Sequence, residues 1–95
     1  MIYFSECKKD NEEFKWVALE NLEDHKDNRQ TGTTIYFIEE LEEGSIFDHW
    51  EDSWDKALKY VEERFGVDSK ALISTKDMVA KGHDMSAFYD LDCKT

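Results

Sequence analysis

A chain of 95 residues is long enough to bury one hydrophobic core and too short to divide into two, so residues 1–95 are predicted to form a single domain. Its net charge of -11, from 23 acidic and 12 basic residues, repels phosphate backbones and anionic lipid, which argues against direct binding to nucleic acid or to a membrane. The same charge accelerates encounter with a basic protein, and the alternative is that it serves solubility alone.

The chain shows no sign of export or membrane insertion. No apolar run approaches the roughly 18 residues that cross a bilayer, and the first residues lack the basic start and long apolar stretch of a signal peptide. We therefore expect a cytoplasmic protein. Cys7 and Cys93 do not make a disulfide framework, and we expect two free thiols, with a bridge between the chain ends as the alternative.

Three strands are predicted in the first half of the chain. Apolar residues at 2–4 and 14–19 lie at hairpin distance and predict two antiparallel strands. Residues 20–32 are almost entirely polar and predict a long exposed connection. Residues 33–41 begin with the run TTIYFI, whose β-branched and aromatic side chains are typical of a strand that is covered on at least one face.

One amphipathic helix is predicted over about residues 53–65. Its apolar residues recur at helical spacing and share one stripe: Trp54, Ala57, Leu58, Val61 and Phe65. Asp52 or Ser53 can cap the N-terminus, and Gly66 can take the left-handed conformation that ends many helices.

After the helix, residues 71–74 predict a short strand, 77–81 a turn or short helix, and 85–91 a further strand. The order is therefore β-β-β-α-β, or β-β-β-α-β-β if the last strand forms. We predict an α+β fold in which a small antiparallel sheet carries one main helix on one face.

Eight carboxylates fall in the window 39–55, which contains no Lys or Arg. Ile46, Phe47 and Trp50 stand among them, in a segment predicted as a loop between strand and helix. Interfaces for basic partners combine acids that steer with a buried aromatic anchor, so this window predicts a partner-binding surface. The alternative is a solvated helix entry with Trp50 in the core. The predicted surface comprises Glu39, Glu40, Glu42, Glu43, Asp48, Trp50, Glu51, Asp52 and Asp55.

The sequence gives no metal or catalytic motif. His25, His49 and His83 lack zinc-ligand spacing, and the acidic segments lack the alternating ligands and glycine of a calcium loop. No phosphate-binding glycine loop or nucleophile elbow is present. We expect no cofactor, no metal and no enzymatic activity.

Residues 52–67, DSWDKALKYVEERFGV, resemble the helix of many small bacterial immunity proteins, including those of contact-dependent growth inhibition and polymorphic toxin systems. The chain's size, its acidity and a sheet before the helix agree with that class. The resemblance implies an antitoxin that inhibits a basic toxin, often a nuclease, one to one. Its carboxylates would then imitate phosphates in the toxin's nucleic-acid groove.

Other surfaces and functions remain open. The second-choice partner surface is the polar connection, with Glu23, Asp24 and Asp27. A phage or plasmid DNA mimic that blocks a restriction or CRISPR enzyme would use the same electrostatics, with carboxylates spread over an elongated surface instead of a compact patch around one or two aromatics. A non-catalytic adaptor subunit is the third alternative.

Overall fold

A computed structural model describes residues 2–7, 14–22 and 32–88, and these contain one five-stranded antiparallel sheet. Its strands are β1 (Ile2–Glu6), β2 (Trp16–Asn21), β3 (Thr33–Ile38), β4 (Phe47–Glu51) and β5 (Ile73–Ser74). The helices are α1 (Trp54–Phe65) and the short α2 (Thr75–Ala80), with 3-10 turns at Leu41–Glu43, Ser69–Ala71 and Ser86–Phe88. The strands lie side by side in the order β4-β3-β2-β1-β5. The predicted α+β fold is confirmed.

Helix α1 forms where the local signals place it. The Ser53 hydroxyl accepts a hydrogen bond from the Lys56 backbone N–H at 3.2 Å, and Gly66 ends the helix with a φ of 68°. Ala57, Val61 and Phe65 are buried, and the half-buried Trp54 and Leu58 pack against the same cluster. The predicted apolar stripe is confirmed as the face that packs on the sheet.

Alternating residues of the central strands pack on opposite faces of the sheet, and both faces are covered. Val17, Leu19, Ile35 and Phe37 pack with α1. On the opposite face, the cluster is Ile2, Phe4, Ala18, Ile38, Leu41, Met78, Met85 and Phe88, which includes residues of α2 and of the last 3-10 turn. Burial on both sides explains why Val17 to Glu20 of β2 are all buried.

The segment after β3 differs from its prediction. The strand ends at Ile38 instead of reaching 41, and Leu41 begins a 3-10 turn that buries its side chain against the face opposite α1. Residues 47–51, predicted as part of a loop, pair with β3 as β4. The order of elements is thus β-β-β-β-α-β-α.

The predicted last strand at 85–91 is wrong over residues 86–88, which form a 3-10 turn; residues 89–91 lie outside the described part of the chain. Met85 and Phe88 are both buried, a spacing of three that suits a helical turn and not a strand. Phe88 packs edge to face against Phe4 with ring centroids 5.0 Å apart. Asp84 accepts a hydrogen bond from the Ser86 N–H at 3.1 Å, which supports the turn.

Cys7 carries a free, half-buried thiol, as expected, whereas Cys93 lies outside the described residues. Burial raises the pKa of the Cys7 thiol to about 11. Neither α1 nor α2, the two α-helices of the described segments, has the length and apolarity needed to cross a membrane.

Candidate functional site

Strand β4 lies at one edge of the described sheet and pairs with β3 alone among the described strands. Phe47, His49 and Glu51 align with β3 residues whose side chains face α1, while Asp48 and Trp50 lie on the opposite face. An edge strand directs one row of backbone N–H and C=O groups away from its sheet. The predicted acidic surface therefore has a regular strand at its centre.

Exposed apolar side chains concentrate at β4. Within the described residues, four large hydrophobic side chains are exposed, and three of them are Ile46 (47 %), Phe47 (59 %) and Trp50 (51 %). Three such residues within five positions form an apolar patch, and patches of this kind often mark interaction sites. The sequence prediction named Trp50 as the anchor but did not include Ile46 and Phe47 in the site.

Trp50 is not in the core, and its position depends on Gly32. A Cβ atom added to Gly32 would lie 2.7 Å from Trp50 Nε1 and 2.4 Å from the carbonyl oxygen of Glu51. Only glycine allows this approach, and its φ of +88° is also one that other residues rarely adopt. One side of the indole thus rests on the backbone, while half of the side chain remains exposed.

The face of β4 toward α1 carries a cluster that sequence reasoning missed. His49 Nε2 lies 2.7 Å from Glu51 Oε2, and the imidazole stacks on the Tyr60 ring with centroids 4.7 Å apart. The Arg64 guanidinium lies 4.9 Å from the centroid of the same ring. These contacts hold β4 against the helix. The spacing of His49 and Glu51 would have indicated a shared face only if β4 had been predicted as a strand.

The opposite face of β3 and β4 carries a buried hydrogen bond. The Tyr36 hydroxyl donates to Glu20 Oε1 at 2.7 Å, and Glu20 is only 2 % exposed. Burial, the hydrogen bond to Glu20, and the charges of Glu20 and Asp48 hold the pKa of Tyr36 far above its usual value. Tyr36 is therefore a neutral hydrogen-bond donor at physiological pH, and it connects the candidate surface to the core.

The predicted carboxylates do not form one compact patch. Glu39, Glu40, Glu42 and Glu43 lie in the connection before β4, while Asp52 and Asp55 lie after it, beside the start of α1. At about 3.3 Å per residue, the five residues of β4 separate these two groups by about 13 Å. Asp48 and Glu51 lie between them, so the structure arranges the acids as a strip along the sheet edge with aromatic side chains in its middle.

Three of these eight carboxylates have a cationic or imidazole partner. Lys15 Nζ lies 3.2 Å from Glu40, Lys56 Nζ lies 2.9 Å from Asp52, and His49 contacts Glu51. Exposed ion pairs such as the two lysine pairs contribute little to stability. Within the described segments, Glu39, Glu42, Glu43, Asp48 and Asp55 form no ion pair. These five carboxylates are accessible to the charges of a partner.

Other candidate sites are less well supported. Glu23, Asp24 and Asp27, the second-choice surface, lie outside the described residues. In the described segments, no group of three or more His, Cys, Asp or Glu side chains is placed to hold a metal ion. A cavity of about 270 Å³ is lined by Glu6, Trp16, Lys81 and His83 among others, and no residue of the predicted surface lines it.

Comparison with known proteins gives no match to a family model, to a curated protein or to a solved structure. The function must therefore be inferred from the chain's own residues. The strongest feature that they offer is the edge strand β4, with three exposed apolar side chains in an acidic strip.

Proposed function

We propose that this chain is an immunity protein that binds a basic toxin, a nuclease, one to one and neutralises it through the edge of the sheet at β4. The observation that carries the proposal is the coincidence of two features on one strand. Ile46, Phe47 and Trp50 are exposed there, and the window 39–55 around them contains no Lys or Arg.

The two features have different roles in binding. Trp is the residue most typical of binding hot spots, and burying Trp50 and Phe47 under a partner supplies affinity. The carboxylates act mainly on the association rate, which electrostatic steering can raise by orders of magnitude at low salt. Rapid capture suits a toxin that is an enzyme, because each free nuclease molecule damages many substrates before it is bound.

The charge also indicates what kind of partner fits. A net charge of -11 opposes binding to nucleic acid but complements the groove in which a nuclease holds phosphates. The strip of acids along β4 favours a second candidate, a DNA mimic that inhibits a restriction or CRISPR enzyme. The exposed aromatics at the centre of the strip favour the immunity protein, since phosphate mimicry alone does not need them.

Co-expression with the products of adjacent genes tests the proposed function. A neighbouring product should arrest bacterial growth when expressed alone, and this chain should restore growth and form a one-to-one complex with it. If the chain neither protects the cells nor binds such a product, the proposal is wrong. Recovery of a restriction or CRISPR component as the stoichiometric partner would instead establish the DNA mimic.

A pair of charge reversals tests the surface. Asp48→Lys on β4 should slow association with the partner by about tenfold at low salt, because exposed interface charges act mainly on the on-rate. Glu62→Lys is the matched control, since Glu62 is exposed on α1 and the change in net charge is the same. Equal rates for the two variants would remove the β4 edge from the proposed interface.

A further inference from the structure

The two edges of the described sheet are protected to different degrees. Strand β5 is two residues long and offers little backbone to another chain. Strand β4 is five residues long and contains neither proline nor lysine, two of the residues that usually protect an edge. Its protection is negative charge, which repels a second copy of the same acidic strand but attracts a basic one.

The backbone register shows which groups β4 directs outward. The Leu22 N–H donates to the Gly32 carbonyl at 3.0 Å, so the even-numbered residues of β3 direct their backbone groups toward β2. Odd-numbered residues of β3 therefore face β4, and their partners are Phe47, His49 and Glu51. By alternation, Asp48 directs its N–H and C=O away from β3.

We infer that the partner binds by adding an extended basic segment to the outer edge of β4 as a sixth strand of the sheet. This inference rests on the proposed function and specifies its binding mode. Any partner that covers Phe47 and Trp50 also removes water from the outward backbone groups between them, and leaving a buried N–H or C=O without a hydrogen bond is costly. A paired strand supplies those hydrogen bonds, whereas a helix lying across the edge does not.

The side chains along the edge define the partner's sequence class. Cross-strand neighbours lie about 4.5–5.5 Å apart, so residues opposite Asp48 and Glu51 should be Lys or Arg. Residues beside Phe47 and Trp50 should be apolar. The expected segment has about five residues and carries basic and apolar side chains.

Amide hydrogen exchange, measured by NMR on the free protein and on its complex with the toxic product of the adjacent gene, tests this binding mode. The Asp48 amide should exchange rapidly in the free protein and at least about tenfold more slowly in the complex, since a new hydrogen bond protects it. The Phe47 and His49 amides face β3 and should be protected in both states. A complex without added protection at Asp48 would overturn the strand pairing and leave the proposed function intact.

The other outcomes are equally decisive. Absence of any complex overturns the proposed function and this inference with it. Protection of Asp48 in the free protein, together with a dimer in sedimentation, would identify a second copy as the occupant and overturn the inference.

A pair of variants gives an independent readout. Asp48→Pro removes the outward N–H, which edge strands tolerate, and Asp48→Ala removes the same carboxylate but keeps the N–H. Binding to the same product should be about tenfold weaker for Asp48→Pro than for Asp48→Ala, the expected effect of one hydrogen bond. Equal affinities of two folded variants would contradict strand addition. If circular dichroism shows that Asp48→Pro does not fold, the exchange measurement on the unmodified chain decides alone.

Discussion

Gly32→Ala should destabilise the protein through contacts that no local sequence rule indicates. The added methyl group would lie 2.4 Å from the Glu51 carbonyl oxygen and 2.7 Å from Trp50 Nε1. The indole can move, but the carbonyl belongs to the end of β4 and cannot leave without moving the strand. We therefore expect the pairing of Thr33 with Glu51 to break.

The magnitude follows from two contributions. Placing alanine at a φ of +88° costs about 1–2 kcal/mol, because a Cβ atom crowds the backbone in that region. Losing a backbone hydrogen bond at the end of the β3–β4 ladder adds about 1 kcal/mol, and displacement of the Trp50 side chain adds to this. The expected loss in the free energy of unfolding is about 2–4 kcal/mol.

Urea unfolding of Gly32→Ala and Gly82→Ala measures the two contributions separately. Gly82 has a φ of +98°, and nothing lies within 4 Å of its added Cβ, so its variant reports the backbone strain alone. Gly32→Ala should therefore lower the free energy of unfolding by at least about 1 kcal/mol more than Gly82→Ala. Equal losses would refute the close approach of β4 to Gly32.

Two further predictions concern the core and the thiol. Val61→Ala should cost about 2 kcal/mol in urea unfolding because Val61 is 0 % exposed, whereas Lys59→Ala on the exposed side of α1 should cost less than about 0.5 kcal/mol; equal costs would contradict the packing of α1. In a Cys93→Ser background, Cys7 should react with iodoacetamide far more slowly at pH 8 in the folded than in the urea-unfolded protein, because burial raises its pKa to about 11. The unfolded thiol ionises near its model value of 9.0, so the free energy of unfolding should fall as the pH rises from about 9 to about 11; an equal alkylation rate in the two states would contradict the burial.

Helix α1 could be predicted almost to the residue because its signals are local. The apolar stripe, the cap at Ser53 and the stop at Gly66 each act within a few positions of the chain. The strand compositions of β1, β2 and β3 were likewise sufficient to indicate a sheet. Met85 and Phe88 show where local pattern fails, since their apolar character fits a strand or a turn equally well and the packing against Phe4 decides.

Strand β4 could not be predicted from its composition. Asp48 and Glu51 disfavour a strand, and what makes the segment a strand is its pairing with the already paired β3. The same acids that hid the strand are acceptable there because the strand is an edge, where charge prevents aggregation. The candidate surface was therefore predicted by residue type, but its shape as a strip was not.

The position of β4 also bears on the alternative that the acidity serves only solubility. A sheet edge that exposes Ile46, Phe47 and Trp50 without charge would pair with further copies of itself. The carboxylates oppose that association and leave the same apolar side chains accessible to a basic partner. Solubility and binding are then two consequences of one arrangement. A protein that needed only solubility would not need exposed aromatic side chains among its acids, and this combination is what favours a binding function.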